Sequence, residues 1–551
     1  MKRATLAQGL WVGGLTGLVV LATLYSANQA FGAPFVPYDV WNWQARVTPG
    51  NALSLTLSWP GTVLARVFNA RESAWGKTSE QIGSLLLSLA VLAGIGLLAA
   101  WLKGHAERRR VRAGLWGSAV VLILISAVEL AVGLERPVLS LTWLAIVLLG
   151  WGILLDSILD GRIFSAISES TDEARRQGLI KLASSALGAT LAAWGVGRLI
   201  ASGDEGTGAD RPLTGITPVA PDDEPPVVVT APRVTPAGSE GITSGDIAEI
   251  PIGDDGRVVP VPGTREEITP QGEFYRVDIS ATPLSLDGES WRLAMAGLFE
   301  QTPQLTLGDL RAYPARTQAI TLSCISNPVG GTAISSAYWT GLRLNDLLED
   351  LGLLPKAQYL YIQSADGFYE TVPMEDMMNP RTLLVYGMND RTLPDRHGFP
   401  LRIYIPNRYG MKQPKWIERI EATETDRGGY WTDRGWSKQA IVNTTSVIDV
   451  VAVDTEENGY IPVGGVAWAG ARGIQKVEVQ IDEGEWHQAA LRTPAPSPLA
   501  WVQWRYHWMA SPGNHTLSVR ATDGTGELQT PEARDTLPNG ATGYHSVDVE
   551  V

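Results

Sequence analysis

Cys324 is the residue of this chain whose side chain can do the most chemistry, and it is the only cysteine among 551 residues. It lies in the segment Thr321-Leu322-Ser323-Cys324-Ile325-Ser326-Asn327. A lone cysteine cannot form an internal disulfide, and structural zinc sites usually take two to four thiolates. Three roles are left: a small buried hydrophobic residue, a nucleophile, or a thiolate ligand to a metal that a cofactor carries.

The elements that must position Cys324 belong to a mixed α+β pattern between residues 273 and 425. Alternation of apolar and polar residues predicts strands at Trp291–Met295 and Leu401–Ile405. A helical pattern runs from Leu342 to Leu351 and is expected to stop at Gly352. The pattern predicts an α+β domain of about 150 residues, an ordinary domain size.

Charge divides the chain into two unlike parts. Residues 1–203 hold 17 Lys+Arg against 11 Asp+Glu, and the remainder holds 27 against 47, which gives the net charge of −14. An acidic second part argues against nucleic-acid binding, because that function needs a basic surface.

The N-terminal part predicts a membrane anchor of about five helices. Each apolar stretch approaches the length of about 20 residues that spans a bilayer. The stretches are residues 6–27, 81–102, 114–134, 137–158 and 180–201. Basic clusters begin at Lys2, Lys103 and Arg162, and placing them in the cytoplasm puts everything after residue 203 on the extracytoplasmic side.

Two further signals concern this anchor. His105 is the only histidine before residue 397, so a haem bound between two intramembrane histidines is not expected. The pair Arg175-Arg176 ahead of the fifth stretch resembles a twin-arginine export signal kept as an anchor, although an ordinary positive-inside cluster explains it equally well. Residues 204–272 are rich in Gly, Pro, Thr, Asp and Glu, which predicts an acidic, semi-extended linker.

Six short motifs follow one another in residues 270–551. They are Phe274-Tyr275-Arg276, the Cys324 segment, Ala337-Tyr338-Trp339-Thr340-Gly341-Leu342, Ser364-Ala365-Asp366-Gly367, His397-Gly398-Phe399-Pro400-Leu401-Arg402, and Tyr409-Gly410 with Lys415-Trp416. In this order they resemble the molybdopterin-binding domain of the sulfite oxidase family, in its bacterial membrane-anchored branch. The resemblance covers about half of the chain.

The resemblance implies a molybdenum cofactor, in which a pterin dithiolene binds the metal and the pterin also carries a phosphate. Such a group asks for one soft thiolate at the metal and for cationic donors at the ring and phosphate. The residues expected to bind it are Phe274, Arg276, Asp278, Cys324, Ser364, Asp366, His397, Arg402, Gly410 and Lys415, with Cys324 as the metal ligand. Arg276 matches a family arginine that lies between pterin and substrate.

The sequence also departs from the family. Animal and plant sulfite oxidases place an arginine pair after Cys-x-x-Asn, where it grips an oxyanion, whereas this chain continues Asn327-Pro328-Val329-Gly330. Asp278 stands where the family has a pocket histidine. A missing cation and an added carboxylate make sulfite a poor candidate substrate. The sequence shows no haem domain of cytochrome b5 type, so a separate redox protein is expected to carry the electrons.

The last part of the chain alternates as an all-β domain, with Trp504, Tyr506 and Trp508 expected on one face of a strand. This predicts an antiparallel sandwich, and the resemblance implies an immunoglobulin-like fold that commonly mediates dimer contact. Arg472 is expected to approach the substrate pocket, with a surface turn as the alternative, and Tyr430 is expected to line the pocket mouth. With Cys324 and Arg276, these two are the expected catalytic residues.

The sequence therefore predicts four parts: a transmembrane anchor (1–203), a linker (204–272), a molybdopterin-binding catalytic domain (273–437) and an immunoglobulin-like sandwich (438–551). The function that the resemblance implies is oxygen-atom transfer at an extracytoplasmic mononuclear molybdenum centre that cycles between its +6 and +4 states, with a small-molecule or sulfoxide-type substrate other than sulfite; reduction of a sulfoxide and oxidation of a small anion are equally expected. The alternatives are a sulfite or other small-anion oxidase, and a non-catalytic membrane-tethered binding protein. Expected partners are membrane lipid, a cytochrome or quinone-linked electron-transfer protein, and a second copy of the chain.

Overall fold

The computed structural model describes residues 6–31, 33–47, 72–105, 112–132, 137–160, 162–163, 177, 180–192, 209–213, 250–280, 283–457 and 459–551. Its contacts divide the chain into two compact units, one formed mainly by residues up to 206 and one formed mainly by residues from 207 onward. The Arg175-Arg176 pair and residues 214–249 of the predicted linker lie outside the described residues.

The first unit is helical. Its helices are α1 (Leu6–Phe31), α2 (Val36–Val47), α3 (Glu72–His105), α4 (Ala113–Val132), α5 (Pro137–Leu159) and the shorter α6 (Ile180–Ala192). Segments of α1, α3, α4 and α5 are long and apolar enough to cross a membrane, which confirms four of the five predicted spans by length and composition. The fifth predicted span begins with α6, and its continuation to residue 201 falls outside the described part of the chain.

Small residues let the helices of this unit approach closely. A Cβ atom at Gly13 of α1 would lie 2.8 Å from the Leu92 carbonyl oxygen and 2.9 Å from the Gly96 Cα of α3. Helices in lipid have no hydrophobic driving force for association, so close packing of small residues stabilises their contact instead. On another side of α1, the Trp151 indole N–H of α5 donates to the Thr16 hydroxyl at 2.8 Å.

A buried carboxylate joins α4 and α5. Asp156 accepts hydrogen bonds from the amides of Gly114 and Leu115, each at 3.0 Å, and pairs with the Lys103 ammonium at 2.9 Å. The first amides of a helix have no partner within the helix and carry partial positive charge. Asp156 therefore caps α4 from a neighbouring helix.

The second unit begins its regular structure with two five-stranded sheets. One has the order β2 (Gln304–Leu305), β1 (Leu293–Gly297), β10 (Ile417–Thr423), β5 (Tyr359–Ser364), β6 (Tyr369–Pro373). The other has the order β3 (Ala315–Ser323), β4 (Ile334–Arg343), β7 (Leu383–Met388), β8 (Arg391–Thr392), and β9 (Arg402–Tyr404) also pairs with β7. Short helices α7 (Leu307–Arg311), α8 (Leu344–Asp350) and α9 (Met374–Met377) complete this α+β domain.

The helix α8 has the hydrophobic spacing from which the sequence predicted a helix in this region. Leu344, Leu347, Leu348 and Leu351 are buried in one core, with the spacing of a single helix face. The chain leaves the helix before Gly352, as the sequence predicts. All six residues of β7 are buried, because the strand has neighbours on both sides and is covered on both faces.

The C-terminal part consists of two four-stranded antiparallel sheets. One has the order β11 (Thr445–Val451), β12 (Ile461–Trp468), β16 (Val502–Trp508), β15 (Ala490–Leu491); the other has the order β14 (Trp486–Gln488), β13 (Ile474–Ile481), β17 (Asn514–Asp523), β18 (His545–Glu550). Strands of both sheets supply one hydrophobic core, which includes Trp504 and Trp508. The predicted two-sheet arrangement and the shared face of these tryptophans are therefore present.

Part of the predicted linker packs on this unit. Leu213 donates its amide to the Asp390 carbonyl, and the Thr392 amide donates to the Arg211 carbonyl. Residues 257–267 lie on the polar face of β16: the Arg505 guanidinium donates to the Val259 carbonyl, and the Gln503 amide to the Arg265 carbonyl. Arg505 is 1% exposed, and this segment covers it.

Candidate active site

Cys324 lies immediately after β3, in a turn closed by its own neighbours. The Cys324 carbonyl accepts the Asn327 amide at 3.1 Å, and the Asn327 side-chain oxygen accepts the Ala333 amide at 2.8 Å. The Cys324 residue is 8% exposed, and its sulfur lies 3.0 Å from the Ser326 hydroxyl oxygen. Burial raises the pKa of the thiol, while the contact with Ser326 acts in the opposite direction.

The loop after this turn packs closely against the C-terminal domain. Gly330 has a φ of +78°, a backbone conformation that favours glycine, and a Cβ atom there would overlap the His545 imidazole. His545 is itself fixed, because its Nδ1 accepts the Ile448 amide at 3.1 Å. The geometry at Cys324 thus depends on residues more than 200 positions further along the chain.

Tyr275 and Gly410 lie beside this turn. A Cβ atom on Gly410 would be 3.0 Å from the Tyr275 hydroxyl and 3.4 Å from the Ser323 carbonyl oxygen, so a larger residue would press on the backbone next to Cys324. The Phe274 ring packs edge-on against Trp339, with 5.4 Å between ring centroids, and edge-on against His397, at 5.3 Å. Phe274 therefore links the cysteine side of the site to the histidine side.

His397 and Arg402 form the second side of the site. The Arg402 guanidinium stacks 4.7 Å from the Trp339 ring centroid and donates to the His397 carbonyl at 3.2 Å. Burial lowers the pKa of Arg402 to about 10. Burial and the nearby cations Lys415 and Arg402 hold the pKa of His397 well below its usual value, so its imidazole is neutral. The His397 Nε2 atom is buried and has no hydrogen-bond partner.

Lys415 pairs its backbone with Arg402 and brings a third cation to the site. Its ammonium lies 2.9 Å from Asp278, whose carboxylate also accepts the Nε and Nη2 groups of Arg276 at 2.7 and 3.0 Å. The Asp278 side chain is 1% exposed. Burial lowers the pKa of Lys415 to about 8, although Asp278 acts in the opposite direction.

These residues fit a buried anionic cofactor. Two largely buried cations, Arg276 and Lys415, share the Asp278 carboxylate, a third, Arg402, has no carboxylate partner among its contacts described above, and burial lowers the pKa of Arg402 and of Lys415. A buried excess of positive charge is costly unless an anion compensates it. A phosphate group would do so, and the unpartnered His397 Nε2 would meet a ring donor or acceptor of the pterin.

Ser364 and Asp366 lie at the turn between β5 and β6. In this turn the Asp366 carboxylate accepts the Phe368 amide at 2.9 Å. The Ala365 amide donates to the Trp416 carbonyl, which brings the turn next to Lys415. The Ser364 hydroxyl is buried without a partner, so it is available to a bound group.

The two remaining predicted site residues are held in other contacts. The Arg472 guanidinium pairs with Asp523 at 2.7 Å and donates to the Val442 carbonyl and the Thr444 hydroxyl. Tyr430 is 1% exposed, and the Arg434 guanidinium lies 3.7 Å from its ring centroid. Their expected catalytic roles stay predictions.

The sequence reasoning did not assign roles to Tyr275, Ser326 and Trp339, which all contact the site. Each falls within a quoted motif, so its position in the motif was the available signal. In the described part of the chain, no three His, Cys, Asp or Glu side chains cluster as they would for a metal held by protein ligands alone.

Comparison with known proteins agrees with this geometry. Residues 279–431 match the oxidoreductase molybdopterin binding domain, and residues 435–551 match the Mo-co oxidoreductase dimerisation domain. The chain is 26% identical to mitochondrial sulfite oxidase of Drosophila melanogaster over 343 residues, which are 51% of this chain and 59% of that protein.

Two bacterial relatives are also similar. A putative protein-methionine-sulfoxide reductase subunit of Azospira oryzae is 32% identical over 152 residues, which are 28% of this chain and 56% of that protein. An uncharacterized oxidoreductase of Bacillus subtilis is 29% identical over 154 residues, which are 28% of this chain and 76% of that protein.

The matching pair of domains defines a molybdenum-cofactor oxidoreductase. Residues 279–551 carry the two domains of a molybdopterin-dependent oxidoreductase similar to the sulfite oxidases, and the cofactor is the molybdenum cofactor. The chain spans 59% of the length of the fly sulfite oxidase and 56% of the Azospira relative.

Proposed function

We propose that this protein is a membrane-anchored reductase that removes an oxygen atom from an uncharged S-oxide on the extracytoplasmic side. In the overall reaction, the S-oxide takes up two electrons and two protons and yields a sulfide and water. The observation that carries the proposal is the Asp278 carboxylate held between Arg276 and Lys415.

When bound, the cofactor supplies a molybdenum ion that exchanges one oxygen atom with the substrate and changes by two electrons. Cys324 holds the metal through its thiolate. His397, Arg402 and Lys415 hold the pterin and its phosphate, and Ser364 and Asp366 support the ring. Arg276, fixed by two hydrogen bonds to Asp278, orients the substrate oxygen and stabilises negative charge that develops on it.

The charge balance of the site favours an uncharged substrate. The Asp278 carboxylate offsets part of the positive charge of Arg276 and Lys415, and a phosphate of the cofactor would offset more of it. The attraction of the site for a dianion such as sulfite is weakened accordingly. The missing arginine pair after Asn327 acts in the same direction, and the name of the Azospira relative refers to a sulfoxide substrate.

The location and partners extend the proposal. The basic clusters around the spans support an extracytoplasmic location of the second unit, and a folded, cofactor-loaded domain would need twin-arginine export, for which Arg175-Arg176 is the candidate. Electrons come from a separate cytochrome or quinone-linked protein. The C-terminal sandwich is immunoglobulin-like and forms a homodimer contact, consistent with the dimerisation family that it matches.

The test uses the full chain purified in detergent. Molybdenum close to one atom per chain is expected, together with reduction of methionine sulfoxide or dimethyl sulfoxide by a reduced viologen dye. Sulfite oxidation with ferricyanide is expected to be much weaker. If cells that load other molybdenum enzymes produce this protein without molybdenum, the proposed enzymatic function is refuted. Efficient turnover of sulfite at low micromolar concentration would refute the proposed substrate class.

A further inference from the structure

The hydroxyl of Ser326 lies 3.0 Å from the sulfur of Cys324, a distance at which a hydroxyl and a sulfur form a hydrogen bond. The two residues are the first and third of the turn that Asn327 closes. This turn places Ser326 next to Cys324, within reach of the sulfur.

The direction of this hydrogen bond follows from the chemistry of the ligand. A thiol and a hydroxyl can each donate, but a metal-bound thiolate carries no proton and can only accept. Ser326 must then be the donor. A hydrogen bond to a ligand sulfur withdraws electron density from it and tunes the reduction potential of the metal.

We propose that Ser326 is a positioning residue that donates a hydrogen bond to the Cys324 thiolate and raises the reduction midpoint of the molybdenum. The inference rests on the proposed function, because it requires Cys324 to be the metal ligand. Ser326 touches neither substrate nor pterin in this account; it acts through the sulfur.

The experiment measures the Mo(VI)/Mo(V) midpoint by redox titration followed by electron paramagnetic resonance in the purified full chain. Four variants are compared: Ser326→Ala, Ser326→Thr, Ser326→Val and Ser323→Ala. Threonine and valine have the same shape, and only threonine keeps the hydroxyl. Ser323 is the matched control, since its hydroxyl donates to the Cys324 carbonyl at 3.2 Å and not to the sulfur.

The midpoint is expected to fall in Ser326→Ala and Ser326→Val and to stay close to the wild-type value in Ser326→Thr and Ser323→Ala. Equal midpoints in the threonine and valine variants would overturn the inference, even if the alanine variant loses its cofactor. A Ser323→Ala shift as large as that of Ser326→Ala would also overturn it, because loop packing would then be the cause. Absence of molybdenum from the wild-type protein would refute the proposed function instead.

Discussion

The ammonium group of Lys415 lies 2.9 Å from the carboxylate of Asp278, and both side chains are largely buried. The same carboxylate holds Arg276 through two hydrogen bonds. One acidic side chain therefore sets both the charge of the site and the orientation of its substrate-facing arginine.

Replacing Asp278 with asparagine tests this role. The variant keeps the shape and one acceptor but removes a negative charge, so the site becomes more positive. The affinity for sulfite is expected to rise about ten-fold, which corresponds to about 1.4 kcal/mol, while kcat/KM for a neutral sulfoxide falls because Arg276 loses its fixed orientation.

Steady-state kinetics with both substrates measure the effect, and molybdenum content shows whether the cofactor is retained. Asp287→Asn is the control, since this exposed carboxylate accepts only local amides in a turn. A parallel change for sulfite and sulfoxide would contradict a role in selecting substrate charge.

Cys324→Ser separates a metal ligand from a packing residue. Serine is nearly isosteric, so the fold and the bound pterin are expected to be retained, while turnover falls below detection because a hydroxyl does not replace the soft thiolate. Circular dichroism, pterin fluorescence after release and the viologen assay provide the three readouts. Unchanged turnover would show that the thiol only fills space.

A second buried ion pair makes stability depend on pH. The Lys412 ammonium lies 2.7 Å from the Glu370 carboxylate, yet burial raises the pKa of Glu370 to about 7. The folded state then binds more protons than the unfolded state between pH 4.5, the usual value, and pH 7. This group therefore stabilises the protein most below pH 4.5, and its contribution is lost as the pH rises to 7.

Glu370→Gln removes this titration. Thermal unfolding of the full chain, followed by tryptophan fluorescence from pH 5 to pH 8, is expected to show a smaller loss of stability with rising pH than the wild type, by roughly 1–3 kcal/mol. Glu532→Gln serves as the control, because Glu532 is exposed and forms only a surface pair with Arg534. Identical slopes for the wild type and Glu370→Gln would contradict the raised pKa.

The helical unit offers a matched pair of glycines on α3. Gly96 faces Gly13 of α1 so closely that a leucine would separate the helices, whereas a Cβ atom on Gly94 meets no atom within 4 Å. Gly96→Leu is expected to cost about 1–3 kcal/mol, the usual range for overpacking, and Gly94→Leu almost nothing. Thermal aggregation of the detergent-solubilised protein measures both, and equal losses would contradict the close crossing.

The sequence predicted those features that depend on neighbouring residues. The length of the apolar stretches predicted four of the spans. Hydrophobic periodicity predicted the helix before Gly352 and the strand around Trp504. Several of the quoted motifs also contact one another, since Phe274 packs against Trp339 and His397 and Arg402 stacks on Trp339; the cofactor-binding roles of Cys324, His397, Arg402 and Lys415 stay predictions.

Other features depend on partners distant in sequence, and no local period reveals them. Arg505 lies on the polar side of β16, and residues of the predicted linker cover it. Arg472 was expected to approach the substrate pocket or to lie in a surface turn, and no local pattern revealed that its guanidinium pairs with Asp523. Composition alone likewise marked residues 250–272 as linker, although the indole of Trp501 donates to the Glu267 carbonyl within that segment.

The contact between Gly330 and His545 has a consequence for how this protein can change over time. The loop that follows Cys324 is supported by His545, which lies on the last strand of the sandwich. A chain shortened or recombined between the two domains would lose the support of its cysteine. The two domains are thus expected to be inherited together, with compensating substitutions at these two positions rather than independent drift.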